Sequence, residues 1–324
     1  MEQLRPQWEW IFGEALRNSS APPTVFQSFA WNLIAAKIFR HQAPCVVLAQ
    51  NSGAAVLIPA AIHEGGCLTL LGEALADYRD CLAVGDYDAI AEALAAAWSS
   101  LAELCLPFSV PAVRADSCLY IRADQRDGLS PQPFVGAPRA CRRQISAAGF
   151  AARHHRLAKR LRHFQRAGAE LAYRSGSDAD LLRSLYRHKA EQFAESGNNL
   201  FADSKRIEFM VAACAQPEMG CEIFGFEVAG DLVAALVTFR ESHARRIYTT
   251  WFDPRWGHYS PGALLLYEVT RLTLAEGLDA DFLTGEQPHK TRLATSSVPL
   301  FRIDAPAESI ARLAYALRRE PAAA

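Results

Sequence analysis

Two stretches of this 324-residue chain carry residue types suited to anion chemistry. The first is Phe252-Asp253-Pro254-Arg255-Trp256-Gly257-His258-Tyr259-Ser260-Pro261-Gly262-Ala263, between a β-prone run at 245–252 and a helical pattern. A strand, a loop of small residues and a helix start aim backbone N–H groups and the positive helix end at a phosphate. Ser260 suits the N-cap, Pro261 suits the first helical turn, and Gly262 permits close approach of a ligand. Taken alone, the loop reads equally well as a structural turn. The second stretch, 139–174, holds ten Arg or Lys residues and three histidines against a single acid, Glu170. Its centre, 153–164, has helical spacing, with Leu157, Leu161 and Phe164 on one face and Arg156, Lys159 and Arg160 among the cations on the rest. Such a run is either a solvated connecting helix or a surface facing the phosphates of a cofactor, an acidic substrate or RNA.

The rest of the composition narrows the class. Thirty-four basic residues against 35 acidic ones give no global pull toward nucleic acid or an anionic membrane. Half the residues are apolar, as in ordinary globular protein, yet no apolar run approaches the roughly 18 residues of a membrane span. The N-terminal residues lack the basic-then-apolar order of a secretory signal, so a cytoplasmic location is expected. The eight cysteines are scattered without a CxxC pair, which gives no metal set and points to reduced, buried thiols.

The elements that must position the loop follow from pattern. A helix is expected at 26–39, a hairpin at 45–50 and 54–59 around Asn51-Ser52-Gly53, a strand at 67–72, a helix at 88–104 and a strand at 119–122. The second half repeats that grammar. Helices at 178–195 and 203–215 precede a hairpin at 222–228 and 232–240, the strand at 245–252, a helix at 261–276 stopped by Gly277, strands at 280–283 and 299–303, and a terminal helix at 307–318. Gly53 laid on Gly230 superimposes apolar strands on both sides, an offset of 177 residues. Two related α+β (α/β) domains are therefore expected, at 1–148 and 149–324, joined by a basic helix at 149–168.

That order of elements resembles the Gcn5-related N-acetyltransferase (GNAT) superfamily. Phe252-Asp253-Pro254, Tyr259-Ser260-Pro261-Gly262 and Asp281-Phe282-Leu283-Thr284-Gly285 with His289-Lys290 look like its CelD/BcsL-like acetyltransferase group. The resemblance spans roughly 25–305 and implies tandem GNAT-like domains, each a mixed, mostly antiparallel sheet flanked by helices, as in Fem-type aminoacyltransferases. It departs from the superfamily where the positions of the phosphate loop's Arg or Gln and alternate glycines hold Gly257, His258, Ser260 and Gly262, of which only the last glycine is standard, and where the usual Tyr-Lys pair is His289-Lys290.

What the resemblance implies is acyl transfer from acyl-CoA, acetyl-CoA above all, to the amine of a small metabolite or amino sugar, with polysaccharide biosynthesis as the implied setting, by direct attack in a ternary complex. Backbone from Gly257 to Ala263 would cradle the pyrophosphate, and backbone near Trp251 or Phe252 would meet the oxyanion. Asp281, Glu286 and His289 are the candidate bases, and Tyr259 a candidate proton donor to the leaving thiolate. Arg156, Lys159, Arg160, Tyr248 and Lys290 are candidates for binding substrate or phosphate. Two other readings stand beside this one: a Fem-type enzyme using aminoacyl-tRNA, which the basic helix suits, and a non-catalytic partner protein of the same fold.

Overall fold

The first hairpin forms where the apolar alternation places it. In the computed structural model, which describes residues 1–19, 21–120, 130–195, 197, 199–310 and 312, helices α1 (Arg5–Asn18) and α2 (Phe29–Ile38) precede β1 (Gln42–Gln50) and β2 (Ala54–His63). The two strands pair antiparallel from Gln42 opposite His63 to Gln50 opposite Ala55. Asn51 Oδ1 accepts the N–H groups of Gly53 and Ala54 and so fixes the turn. Strands β3 (Cys67–Leu70) and β4 (Leu82–Gly85) both pair antiparallel with β2, α3 (Tyr87–Ala102) covers the sheet, and β5 (Phe108–Arg114) runs parallel to β3. Trp98, Leu94, Phe108 and Val56 form the centre of this core.

The second unit repeats the plan. After β6 (Ser130–Ala140) come α4 (Ala147–Arg153), α5 (His155–Arg166), β7 (Ala169–Ser175), α6 (Ala179–Gln192) and α7 (Ser204–Cys214). Then follow β8 (Cys221–Val228), β9 (Asp231–Arg240), β10 (Ala244–Phe252), α8 (Pro261–Ala275), β11 (Asp279–Asp281) and the single turn α9 (Pro288–Thr291). The strand order is β6-β11-β10-β9-β8-β7. As in the first unit, three antiparallel strands lead through a helix to a strand that joins the third in parallel. The final strand, β12 (Ser296–Ala305), pairs antiparallel with β5.

The boundary differs from the one expected. The compact units are 1–135 together with the chain from Pro299, and Gly136–Val298, so the division falls before the basic helix and the last strand returns to the first unit. Strands β5, β6 and β7 escape the apolar pattern. Pro111 interrupts β5, and Pro131, Pro133 and Pro138 interrupt β6, which demotes both as strands by sequence, while β7 is mostly exposed. Leu119 and Tyr120, expected to begin a strand, lie in a helical turn; residues 121 and 122 fall outside the described residues, as does most of the expected terminal helix.

The basic run at 153–166 is two helices, broken at His154, and α5 is docked by the predicted stripe. Leu161 and Phe164 are buried, and Phe164 packs edge-on against Phe226 and stacks on Tyr259 at 4.8 Å between ring centroids. Its cations keep to the outer face. Phe164→Ala should therefore cost about 3–5 kcal/mol, as for other fully buried Phe, read by urea denaturation; a loss below about 1 kcal/mol would mean a loosely tethered linker.

Candidate functional site

The second unit's sheet opens where a ladder stops. β10 pairs with β11 only through Ala244–Asp279, Arg245–Ala280 and Arg246–Asp281, after which β10 continues to Phe252 with β9 alone as its recorded partner. A buried ion pair sits at the last rung. The Arg246 guanidinium donates to Asp281 Oδ2, to Glu241 Oε2 at 2.8 and 3.0 Å, and approaches His243 Nε2 at 3.2 Å. Asp281 Oδ1 accepts the N–H of Leu283, whose backbone is left-handed at φ +59°. Among the described residues this explains why the chain leaves the sheet there: one carboxylate holds both the strand end and the turn.

Asp281, a candidate base by sequence, is paired here with the buried Arg246 guanidinium, an arrangement that favours its ionised form and ties it to the strand end. Glu286 is exposed, and its carboxylate lies against Gly136, where an added Cβ would come within 2.5 Å of Oε1. His289, on α9, keeps the chemistry of a base. Partial burial lowers its imidazole below the ordinary value although much of the residue is exposed, and the charges of Lys290 and then Lys189 lower it further. Both causes favour its neutral, proton-accepting form.

The loop after β10 differs in detail from a simple cradle. Pro254–Tyr259 form a 3-10 turn, and Ser260 occupies the N-cap of α8 in a left-handed conformation, φ +56°. Its hydroxyl makes no capping bond. Instead Arg160 Nη2 reaches from α5 to Ser260 Oγ at 2.9 Å and to Tyr259 O at 3.0 Å. The N–H groups of Ser260 and Ala263 are taken up within the turn, by Gly257 O and Ser260 O. Pro261 has none, and the buried Gly262 N–H meets no protein acceptor among the described residues. A Cβ on Gly262 would lie 3.1 Å from Phe252 Cδ1, so this glycine also lets α8 approach β10. Gly257 and His258 are exposed, with His258 and Trp256 flanking Tyr259.

Other candidates find definite partners. Tyr248 is the extra residue of a bulge between Ile247 and Thr249 and packs edge-on against Phe239. Trp251 stacks on His188 of α6 at 5.2 Å. Lys290 Nζ donates to Thr284 O at 2.8 Å. Arg156 and Lys159 are exposed on α5. Sequence reasoning missed Lys189, also on α6, whose Nζ donates to Thr250 O at 2.9 Å and is held at about 8 by burial and, secondarily, by Lys290. The run Arg187-His188-Lys189 was its only signal, inside a helix read as scaffold.

Comparison places this geometry. Residues 151–291 match the family described as acetyltransferase (GNAT) domain. No curated protein matches the chain. In fold it is similar to a conserved protein of unknown function from Bacteroides thetaiotaomicron VPI-5482 (TM-score 0.63, 9% identity, 93% of this chain and 97% of that one). FemX is comparably similar (0.62, 9%, 95% and 98%), and the structure of L-PGS from Bacillus licheniformis less so (0.53, 9%, 88% and 96%). The family match, with the strand order and the early end of the β10–β11 ladder, makes the second unit a domain of the GNAT superfamily of acyltransferases.

Two outcomes check the assignments. Asp281→Asn should lower stability by about 2 kcal/mol or more through the weakened charged bond to Arg246, measured by denaturation, and an unchanged midpoint would contradict the fastener role. Lys189 should titrate near pH 8 by lysine NMR. In Lys290→Met it should move up yet stay below the ordinary 10.4, because burial is the larger cause.

Proposed function

We propose that the chain transfers an acyl group from acyl-CoA, acetyl-CoA in the first instance, to the amine of a small metabolite or amino sugar. The observation that carries this reading is the parted end of β10, which runs on into the helix-start loop, with the imidazole of His289 within electrostatic reach of Lys189, itself bonded to Thr250 O on β10. The residues fit an anionic donor. Gly262 offers an unused N–H at the positive start of α8, Arg160 rigidifies the turn, and Arg156 and Lys159 add exposed positive charge on α5. Bound acyl-CoA supplies the activated thioester carbonyl; everything else falls to this chain.

His289 accepts the proton that the acceptor's ammonium must lose before its nitrogen can attack. The outward backbone of β10 near Trp251 and Phe252, beyond the last β11 rung, is available to hydrogen-bond the donor or the developing oxyanion. Tyr259 has its ring fixed by Phe164 and serves to hold the loop. The CelD/BcsL-like resemblance makes an amino sugar or cell-surface precursor the first class of acceptor to test.

One observation favours a second reading, aminoacyl-tRNA as donor. Arg156, Lys159, Arg162 and Arg166 are exposed on α5, and none is ion-paired among the described residues. Its discriminating property is salt: tRNA binding should weaken steeply with ionic strength and be lost on charge reversal at Arg156 and Lys159.

The test is release of free thiol from acetyl-CoA across a panel of amines. The parent should show an acid limb below about pH 6.5, since a lowered imidazole stays in its basic form to lower pH. His289→Gln should lose about 10²–10⁴ in kcat, and that limb with it. Full activity in His289→Gln would remove the base, and tight salt-sensitive tRNA binding without any acetyl-CoA binding would replace the donor.

A further inference from the structure

Lys189 is a charge that the transfer described above does not use. It is half-buried on α6, with its ammonium bonded to Thr250 O on β10 and 4.8 Å from the centroid of the Phe193 ring. No carboxylate pairs with it among the described residues. Lys290 reaches in from the β11 side, where it is bonded to Thr284 O, just past the turn at Leu283. The charge of Lys290 adds to burial in lowering Lys189, so the two ammonium groups lie within electrostatic reach of each other. Two lysines thus stand one on each lip of the parted strands, each oriented by a main-chain carbonyl.

Such an arrangement runs against stability. A partly buried cation facing another cation is a local conflict of the kind retained at functional sites. Methionine in place of Lys189 would fill the same volume beside Phe193 without the charge. An ammonium has three N–H donors, and the bond to Thr250 O leaves Lys189 two. An anion between the lips would receive donors from both sides and offset the repulsion, within electrostatic reach of His289.

We propose that Lys189 and Lys290 form a receptor for a carboxylate or phosphate carried by the acyl acceptor, which is therefore an anionic amine. For the identity of the ligand as acceptor, the proposal rests on the acyl-transfer reading. The anion fixes the acceptor at the lips, and the amine is presented to His289.

The experiment uses the full chain with ¹⁵N-labelled lysine, titrated separately with acetate and inorganic phosphate. Saturable shifts of the Lys189 and Lys290 signals are expected. The tighter probe distinguishes an amino-acid-like acceptor (acetate) from a phosphorylated one (phosphate). Binding of that probe, followed on Lys290, should weaken about tenfold or more in Lys189→Met, the loss of one charged hydrogen bond. It should be retained in Lys189→Arg, which keeps the charge. A bystander, Lys205→Met, should bind as the parent does. If neither anion moves the Lys189 signal, or Lys189→Met binds as tightly as the parent, the receptor is wrong. Acetyl-CoA titrated into the same sample separates the two ideas. Donor binding without anion binding overturns the receptor alone; anion binding at the lysines without donor binding upholds the receptor and overturns the acyl-CoA reading.

Discussion

The buried contact between Arg246 and Asp281 decides where this sheet comes apart. A parallel ladder between β10 and β11 would otherwise be free to continue, since β10 runs on to Phe252. Asp281 prevents it with one oxygen on the guanidinium and the other on the N–H of Leu283, which turns the chain into a left-handed step. Glu241 and His243 hold Arg246 from the other side. Removing Arg246 would strip the buried Asp281 carboxylate of its charged partner, whereas Arg246 would keep Glu241 if Asp281 were lost, so the rung is held from both sides. The residues proposed for the transfer lie beyond that rung.

The same rung explains the crowding of positive charge. Once β11 leaves the sheet, its continuation brings Lys290 and His289 within electrostatic reach of Lys189, which α6 holds at Thr250 O on β10. Burial first, and then the two lysines, lower the imidazole, and burial lowers Lys189. The basic helix has a different part. Its apolar stripe is packed into the core, and Arg160 splints the turn at Tyr259 and Ser260, so the loop's shape depends on a helix about a hundred residues earlier.

Much of this was legible in order but not in contact. The two hairpins, the 177-residue offset and the strand-loop-helix around Ser260-Pro261-Gly262 follow from local apolar period and turn residues, which act over a few positions. Asp281 could be read from the sequence as a titratable group at a strand end, but its pairing could not, because nothing local announces that Arg246 lies across the ladder. Ser260 sits at the N-cap, yet its hydroxyl answers to Arg160 and not to the helix. Lys189 could not be separated from an ordinary surface lysine, since its burial is created by β10 and Phe193. Strands β5 and β6 were hidden by their prolines, which the sheet accommodates. Local pattern places elements; the site is made of pairs distant in sequence.

The central claim is that the parted half of β10 and the start of α8 receive an acyl donor. Hydrogen exchange on the full chain, with and without acetyl-CoA, reports on it directly. The account predicts added protection at 247–252 and at Gly262, with the Ala244–Arg246 segment, already laddered to β11, unchanged. Saturating acetyl-CoA that leaves 247–252 and Gly262 exchanging as in the free protein would contradict it.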